Sequence, residues 1–111
     1  MKQVFWIKAA DKDFRSFPEA AKERILKALE IAASGRKADI SKPMLGLGSG
    51  IFEVALAYKS DAFRCVYAVQ IGSAIWVIHV FQKKSTTGIS TPKHEIDLIK
   101  LRLKRLKDEL K

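Results

Sequence analysis

Apolar residues recur along this chain with two different spacings. In its central part they alternate with polar residues, which is typical of β-strands. The alternation predicts strands over residues 52–59, 63–71 and 74–81, and a β-branched and aromatic run predicts an earlier strand over 4–7. Gly72-Ser73 between the last two strands is a good two-residue hairpin turn. The centre of the chain is therefore predicted to be an antiparallel sheet.

Helical spacing dominates the flanking regions. We predict a short helix over 11–17, a second helix from Pro18 to a C-terminal cap at Gly35, and a last helix with Thr91 as N-cap and Pro92 in its first position. Their apolar positions recur at steps of three and four. The predicted stripes are Ile25, Leu26, Leu29, Ala32 and Ala33 on the second helix, and Ile96, Ile99, Leu103, Leu106 and Leu110 on the last.

Residues 36–50 contain Pro43 and several glycines and are predicted to be a flexible loop. A phosphate-binding glycine loop would lead into a helix and end in Lys-Ser/Thr, whereas here a strand follows. The fold class is thus α+β: an N-terminal strand and helices packed on a small antiparallel sheet, with a C-terminal helix. We expect one domain over 1–111.

Composition narrows the possible partners. The chain of 111 residues has a formal net charge of +9, which favours nucleic acid, an anionic membrane or an acidic protein. The single cysteine, Cys65, excludes an intrachain disulfide and fits a reducing cytosol. No signal peptide or membrane-spanning run is visible, so we expect a soluble cytoplasmic protein without a membrane partner. Two isolated histidines and one cysteine predict no metal site, and no cofactor is expected.

One stretch is unusually rich in cations. Between Asp61 and Glu95 the chain has no carboxylate but contains Arg64, Lys83, Lys84 and Lys93. The two-residue period places Arg64 on the opposite sheet face from Phe63 and Cys65. Hairpin register should bring Arg64 close to Lys83 and Lys84, where a guanidinium and two ammonium groups suit a phosphate.

The remaining candidate groups differ in their surroundings. His94 opens the last helix beside Lys93 and is a candidate acid or base, because histidine changes charge near neutral pH. His79 lies on an apolar strand and is expected to be a hydrogen-bonded structural group. Cys65 is expected to be packed and inert. The outer face of the last helix, with Lys100 and Arg102, would contact RNA or a partner if it is exposed.

Four segments resemble the RelE/ParE superfamily of toxin-antitoxin toxins, and most closely its HigB-like, phage-derived branch. They are Gly50-Ile51-Phe52-Glu53-Val54, Phe63-Arg64-Cys65-Val66-Tyr67, His79-Val80-Phe81-Gln82-Lys83-Lys84-Ser85 and Thr91-Pro92-Lys93-His94-Glu95-Ile96. The resemblance covers nearly the whole chain. It implies a ribosome-dependent, metal-independent mRNA endonuclease in which the ribose 2′-hydroxyl attacks the adjacent phosphate. It also implies a cognate antitoxin, expected to be a small helix-turn-helix protein.

The resemblance also implies roles for individual residues. Arg64 matches the strand arginine that grips the scissile phosphate, and Lys83 or Lys84 matches the basic residue after the last strand. Lys93 and His94 lie in the segment that often supplies a further catalytic group. Lys59 is a candidate base or RNA contact at a strand end. RelE-type members carry a base-stacking tyrosine after the last strand, which residues 85–91 lack, so His94 is the candidate to take over part of its role.

Two other functions fit the same pattern. One is a ParE-like toxin that binds DNA gyrase, which keeps the fold without the nuclease. The other is a binding module whose cations hold RNA or an acidic partner without chemistry, for which the missing tyrosine is the supporting feature.

Overall fold

The computed structural model describes residues 1–84 and 90–110. Its elements follow the chain as β1 Val4–Trp6, α1 Lys8–Phe14, α2 Glu19–Ala33, β2 Ser41–Pro43, β3 Ile51–Tyr58, β4 Asp61–Ile71, β5 Ala74–Lys83 and α3 Lys93–Glu109. The strands form one five-stranded sheet in the order β1-β5-β4-β3-β2. β1 runs parallel to β5 and the other neighbours are antiparallel. The predicted α+β class is confirmed.

The predicted elements are present with shifted boundaries. The hairpin turn at Gly72-Ser73 is confirmed, because Ile71 is aligned with Ala74 and Gly72 has a φ of 64°. α2 begins at Glu19, one residue later than predicted, with Pro18 in the cap position. The prediction of an unbroken loop over 36–50 is wrong, because Ser41–Pro43 pairs with β3 as an edge strand. Proline is tolerated there because an edge strand does not need every backbone N–H.

α1 and α2 cover one face of the sheet. Their core contains Ala21, Ile25, Ala28 and Leu29 from α2, all at most 2% exposed. Four aromatic rings form a row from β1 through α1 to β4, with centroid separations of 4.7 Å for Trp6–Phe14, 5.8 Å for Phe14–Phe17 and 4.9 Å for Phe17–Phe63. The prediction that Leu26 belongs to this stripe is wrong, because 43% of it is exposed.

α3 covers part of the opposite face. Ile99, Leu103 and Leu106 are buried against Ile51, Val66 and Ala68 of the sheet and Ile78 of β5. Leu110, predicted to continue this stripe, is half exposed. The apolar stripe of α3 does not cover the end of the β3–β4–β5 face that lies near the N-terminus of the helix. The polar site described below lies at this end.

A β-bulge in β5 determines which side chains face α3. The pairing between β4 and β5 aligns Val66 with His79 but Tyr67 with Val77, so Ile78 is an extra residue. Ile78 and His79 therefore both face α3, whereas Val77 and Val80 pack in the core under α2. Alternation counted from Val77 would have placed His79 on the α2 side, whereas alternation counted from Phe81, the partner of Arg64, agrees with the α3 side. Bulges commonly re-aim side chains in this way.

Candidate functional site

The register between β4 and β5 agrees with the predicted neighbourhood of Arg64. Arg64 is aligned with Phe81, and Lys83 is aligned with Ala62 two residues along β4. Because side chains two residues apart on a strand share a face, Arg64 and Lys83 project from the same side of the sheet. This is the side on which α3 lies. The hairpin thus brings together the two cations that the sequence pattern had linked.

A carboxylate from outside the cationic stretch pairs with Arg64. Arg64 Nη1 donates a hydrogen bond to Glu53 Oε1 at 2.9 Å, and the two side chains are 7% and 2% exposed. β3 therefore supplies a buried counter-ion for this arginine, from outside the carboxylate-free stretch between Asp61 and Glu95. Burying either charge alone would cost several kcal/mol, which the pairing offsets. A phosphate that contacts Arg64 must approach an arginine already held in place.

The same carboxylate binds the segment before α3. Thr91 Oγ1 donates to Glu53 Oε2 at 2.6 Å. The prediction that Thr91 caps α3 is wrong: Pro92 occupies the cap position, and no side-chain hydrogen bond caps the helix. The threonine hydroxyl instead fastens the start of the helix to β3.

Two predicted site residues follow at the solvent-facing start of α3. Lys93 is 90% exposed, with Nζ 3.3 Å from Asp97 Oδ2, and His94 is 80% exposed, with Nε2 3.9 Å from Glu95 Oε2. Because most of each side chain is exposed, both are accessible to a ligand despite these contacts. Lys83 lies close to the segment that precedes α3, because its Nζ donates a hydrogen bond to the carbonyl of Ser90 at 3.1 Å.

His79 forms a second buried polar cluster below this end of α3. Its Nε2 is 2.8 Å from Glu95 Oε1, and its Nδ1 is 2.9 Å from Arg102 Nη1. Because arginine can only donate, Nδ1 accepts and Nε2 carries the proton that Glu95 accepts. Desolvation lowers the pKa of His79, although the hydrogen bond to Glu95 acts in the opposite direction. His79 is thus the buried, hydrogen-bonded group that the sequence predicted.

Arg102, predicted to lie on the basic outer surface of the last helix, is only partly exposed. Its guanidinium donates to the carbonyl of Ile78 at 3.2 Å as well as to His79, and the side chain is partly buried. Its position at the bulge makes it a structural contact between α3 and β5. Both bonds use the same nitrogen, Nη1, of the guanidinium.

The other predicted cations are distributed around the sheet end and along α3. Lys59 is exposed in the β3–β4 turn at a φ of 57°, with Nζ 5.5 Å from the centroid of the Tyr58 ring. Lys84 is exposed just after β5. Lys100 is also exposed but lies two turns along α3, where it lines a cleft of about 460 Å³ with Gly46 and Leu47. Lys100 therefore belongs to a different part of the surface.

Cys65 contributes no reactive thiol to this site. It is fully buried on the α2 side of β4, and desolvation, with the nearby charge of Glu53, raises the pKa of its thiol strongly. Within residues 1–84 and 90–110, no group of three or more metal-ligating side chains is gathered in one place. In the same part of the chain, no helix is both long enough and apolar enough to cross a membrane.

The sequence reasoning missed the polar groups that hold the cations. Glu53, Thr91 and Glu95 each bind a partner distant in sequence. The available signal was Glu53 itself, a lone carboxylate in the otherwise apolar strand β3. A charge in such a strand is seldom buried unless it is paired. The segment in which the family tyrosine is missing spans residues 85–91, and residues 85–89 lie outside the described part of the chain.

Solved structures of RelE toxins share this architecture. The E. coli toxin RelE, as an Arg-to-Ala double mutant in the free state, matches with a TM-score of 0.62 and 20% identity, covering 95% of this chain and 97% of that chain. The isolated E. coli RelE toxin in another crystal form matches with a TM-score of 0.58 and 20% identity over 96% and 99%. The RelBE2 toxin-antitoxin complex of Mycobacterium tuberculosis gives 0.48 and 16% over 76% and 93%. The two matches to E. coli RelE show that the protein has the RelE-like fold, as the sequence resemblance implied.

A family model places the chain more narrowly. Residues 12–104 match the family described as "Phage derived protein Gp49-like (DUF891)". The match spans most of the chain, so this protein belongs to the Gp49-like family of phage-derived proteins. A search of curated protein sequences finds no match.

Proposed function

We propose that this protein is the toxin of a type II toxin-antitoxin module and cleaves mRNA on the ribosome without a metal. The observation that carries the proposal is the convergence of Arg64, Lys83 and the start of α3 at one end of a RelE-like sheet. The Gp49-like membership and the net charge of +9 support it. The form of the activity that we propose is that of the HigB-like toxins the sequence resembles.

The proposed reaction is an internal transfer within the RNA. The ribose 2′-oxygen forms a bond to the adjacent phosphorus, the bond to the 5′-oxygen breaks, and a proton moves from the 2′-hydroxyl to the leaving oxygen. Lys83 and Lys84 stabilise negative charge on the phosphate, because preorganised cations favour the transition state over the ground state. His94, exposed at the start of α3, is the proposed proton-transfer group. Lys59 and Lys93 are proposed RNA contacts.

Arg64 contacts the phosphate in this proposal with N–H groups of its guanidinium, and the pairing with Glu53 orients these groups. The ion pair fixes the guanidinium plane before RNA binds, which reduces the reorganisation needed to contact a phosphate. The pair also complicates an alanine test, because Arg64→Ala would leave Glu53 buried without its counter-ion and destabilise the fold.

The sharper test is therefore Lys83→Ala/Lys84→Ala, assayed by ribosome-dependent mRNA cleavage in a purified translation system. We expect cleavage to fall by roughly 100-fold, since removing one transition-state donor typically costs that much. The matched control is Arg24→Ala/Lys27→Ala, which removes two exposed cations from α2 on the other side of the sheet. The control should cleave like the wild type.

Three outcomes would contradict the proposal. Equal cleavage by both double variants would show that the sheet end is not the active site. Intact mRNA with wild-type protein bound to ribosomes would favour a binding module. Gyrase inhibition without ribosome binding would favour the ParE-like alternative.

An antitoxin partner remains part of this proposal. We expect a neighbouring reading frame to encode a small helix-turn-helix protein that neutralises the toxin when the two are co-expressed. Growth of cells that express the toxin alone and with this neighbour measures the effect directly. Failure of the neighbour to restore growth would contradict it.

A further inference from the structure

Glu53 is the carboxylate that connects three parts of the site. It is 1% exposed, yet each of its oxygens accepts a hydrogen bond from a different part of the chain. Oε1 accepts from Arg64 of β4 at 2.9 Å, and Oε2 accepts from Thr91 at 2.6 Å. Thr91 precedes Lys93 and His94 by two and three residues. Glu53 therefore holds both Arg64 and the segment that leads to these exposed cations.

We propose that Glu53 is a positioning residue for the cleavage reaction, holding Arg64 and the start of α3 in the relative geometry that the RNA phosphate requires. This inference rests on the function proposed above. Glu53 contacts no substrate itself, since its side chain is enclosed by the groups it binds. Its effect on the reaction passes through Arg64 and through the segment that leads into α3.

The chemistry of the residue supports a positioning role over a packing role. An apolar side chain in the same place would fill the volume without the desolvation cost of a buried charge, and replacing a buried ion pair by apolar residues is often neutral or stabilising. An apolar side chain, however, cannot form directional hydrogen bonds. A carboxylate with two occupied oxygens fixes both the guanidinium and the threonine hydroxyl at short distances.

Glu53→Gln tests the role with almost no change of shape. The amide oxygen can still accept from Arg64, but the negative charge is lost and the amide nitrogen now faces the Thr91 hydroxyl. We expect kcat for ribosome-dependent cleavage to fall by about 100-fold, because a displacement near 1 Å at a reacting centre can cost that much. KM should change little, since the exposed lysines that attract RNA are untouched.

Val54→Ala is the matched control for lost stability. Val54 is the next residue on β3, is fully buried, and packs in the core on the α2 side. Its truncation weakens the fold without touching the polar site. Both variants are compared at the same folded fraction, measured by circular dichroism at several temperatures, so a role in folding alone would lower cleavage equally in both.

Thr91→Val provides a second variant if Glu53→Gln folds poorly. It removes only the bond to Oε2, so kcat should fall while the Arg64 pair remains. In ¹⁵N NMR spectra of the free protein, the Arg64 guanidinium signals should stay resolved in wild type and Thr91→Val. They should average in Glu53→Gln, where the restraint is weakened.

The outcomes separate this inference from the proposed function. Absence of cleavage by the wild type would defeat the function itself. Cleavage by the wild type, with Glu53→Gln and Thr91→Val no slower than Val54→Ala, would overturn the positioning role alone. Averaged Arg64 signals in the wild type would also overturn it.

Discussion

At the scale of single residues, the pairing of Arg64 shows how the surroundings of a charge depend on the fold. The chain has no carboxylate between Asp61 and Glu95, so the sequence suggested an unbalanced cation cluster. Antiparallel pairing aligns Glu53 with Val66 and Arg64 with Ala55, which makes Glu53 and Arg64 diagonal neighbours on one face. The counter-ion therefore comes from the adjacent strand.

His79 leads to a prediction at the same scale. It is enclosed by Glu95 and Arg102 of α3, with the charge of Asp13 of α1 also acting on it, and desolvation gives it a lowered pKa in the folded protein. The unfolded chain therefore binds this proton at higher pH than the folded chain does. We expect the stabilisation of the folded state by neutral His79 to be fully present above about pH 6.5. It should be lost as the pH falls from there through the lowered pKa.

Urea unfolding between pH 5 and pH 7.5 measures this dependence. The slope from one group cannot exceed about 1.4 kcal/mol per pH unit. His79→Gln should flatten the slope below about pH 6.5, where the lowered pKa of His79 makes stability depend on pH. An unchanged slope in His79→Gln would contradict the assignment.

At the scale of elements, α3 is held on the sheet by two kinds of contact. Near its start, polar bonds connect it to β3 and to the bulge of β5 through Thr91, Glu95 and Arg102. Farther along, the apolar side chains of Ile99, Leu103 and Leu106 provide the packing. The polar bonds fix the orientation of the helix, and the apolar contacts supply most of its binding energy.

A pair of leucines on α3 tests this division. Leu103 is 4% exposed and Leu101 is 44% exposed, although they are only two residues apart. We expect Leu103→Ala to lower the free energy of unfolding by about 2–5 kcal/mol, because it leaves a cavity against the sheet. Leu101→Ala should cost less than about 1 kcal/mol. Chemical denaturation followed by circular dichroism measures both, and similar losses would show that α3 is packed differently.

At the scale of the whole molecule, the sheet separates two layers with different roles. The α1–α2 layer contains the larger aromatic core and the inert thiol of Cys65. The α3 layer contains the buried polar groups Glu53, Arg64 and His79 together with the exposed cations near the sheet end. Binding chemistry is therefore expected on one side of the molecule only.

Salt dependence of RNA binding tests this asymmetry. Each phosphate contact to single-stranded RNA contributes about 0.7 to the slope of log K against log salt concentration. Lys83→Ala/Lys84→Ala should lower the magnitude of the slope by roughly 1.4, whereas Arg24→Ala/Lys27→Ala should leave it unchanged. Fluorescence anisotropy with a short labelled RNA measures the slopes, and equal reductions would show that RNA binds without preference for the α3 side.

The sequence by itself determined the elements and their order, because hydrophobic spacing is a local property. Alternation defined β3, β4 and β5, and the Gly72-Ser73 turn determined the register that brings Arg64 towards Lys83. The same period correctly separated Arg64 from the core that contains Cys65. The resemblance to toxin segments then led to the RelE-like fold.

Only the tertiary structure decided which groups the site residues contact. Pairing between strands gave Arg64 its partner Glu53, and the packing of α3 turned Arg102 inward and brought Thr91 to the same carboxylate. The bulge at Ile78 placed Ile78 and His79, which are neighbours in the chain, on the same α3 face. The physical reason is that each of these contacts joins segments far apart in the chain, so no local period encodes it.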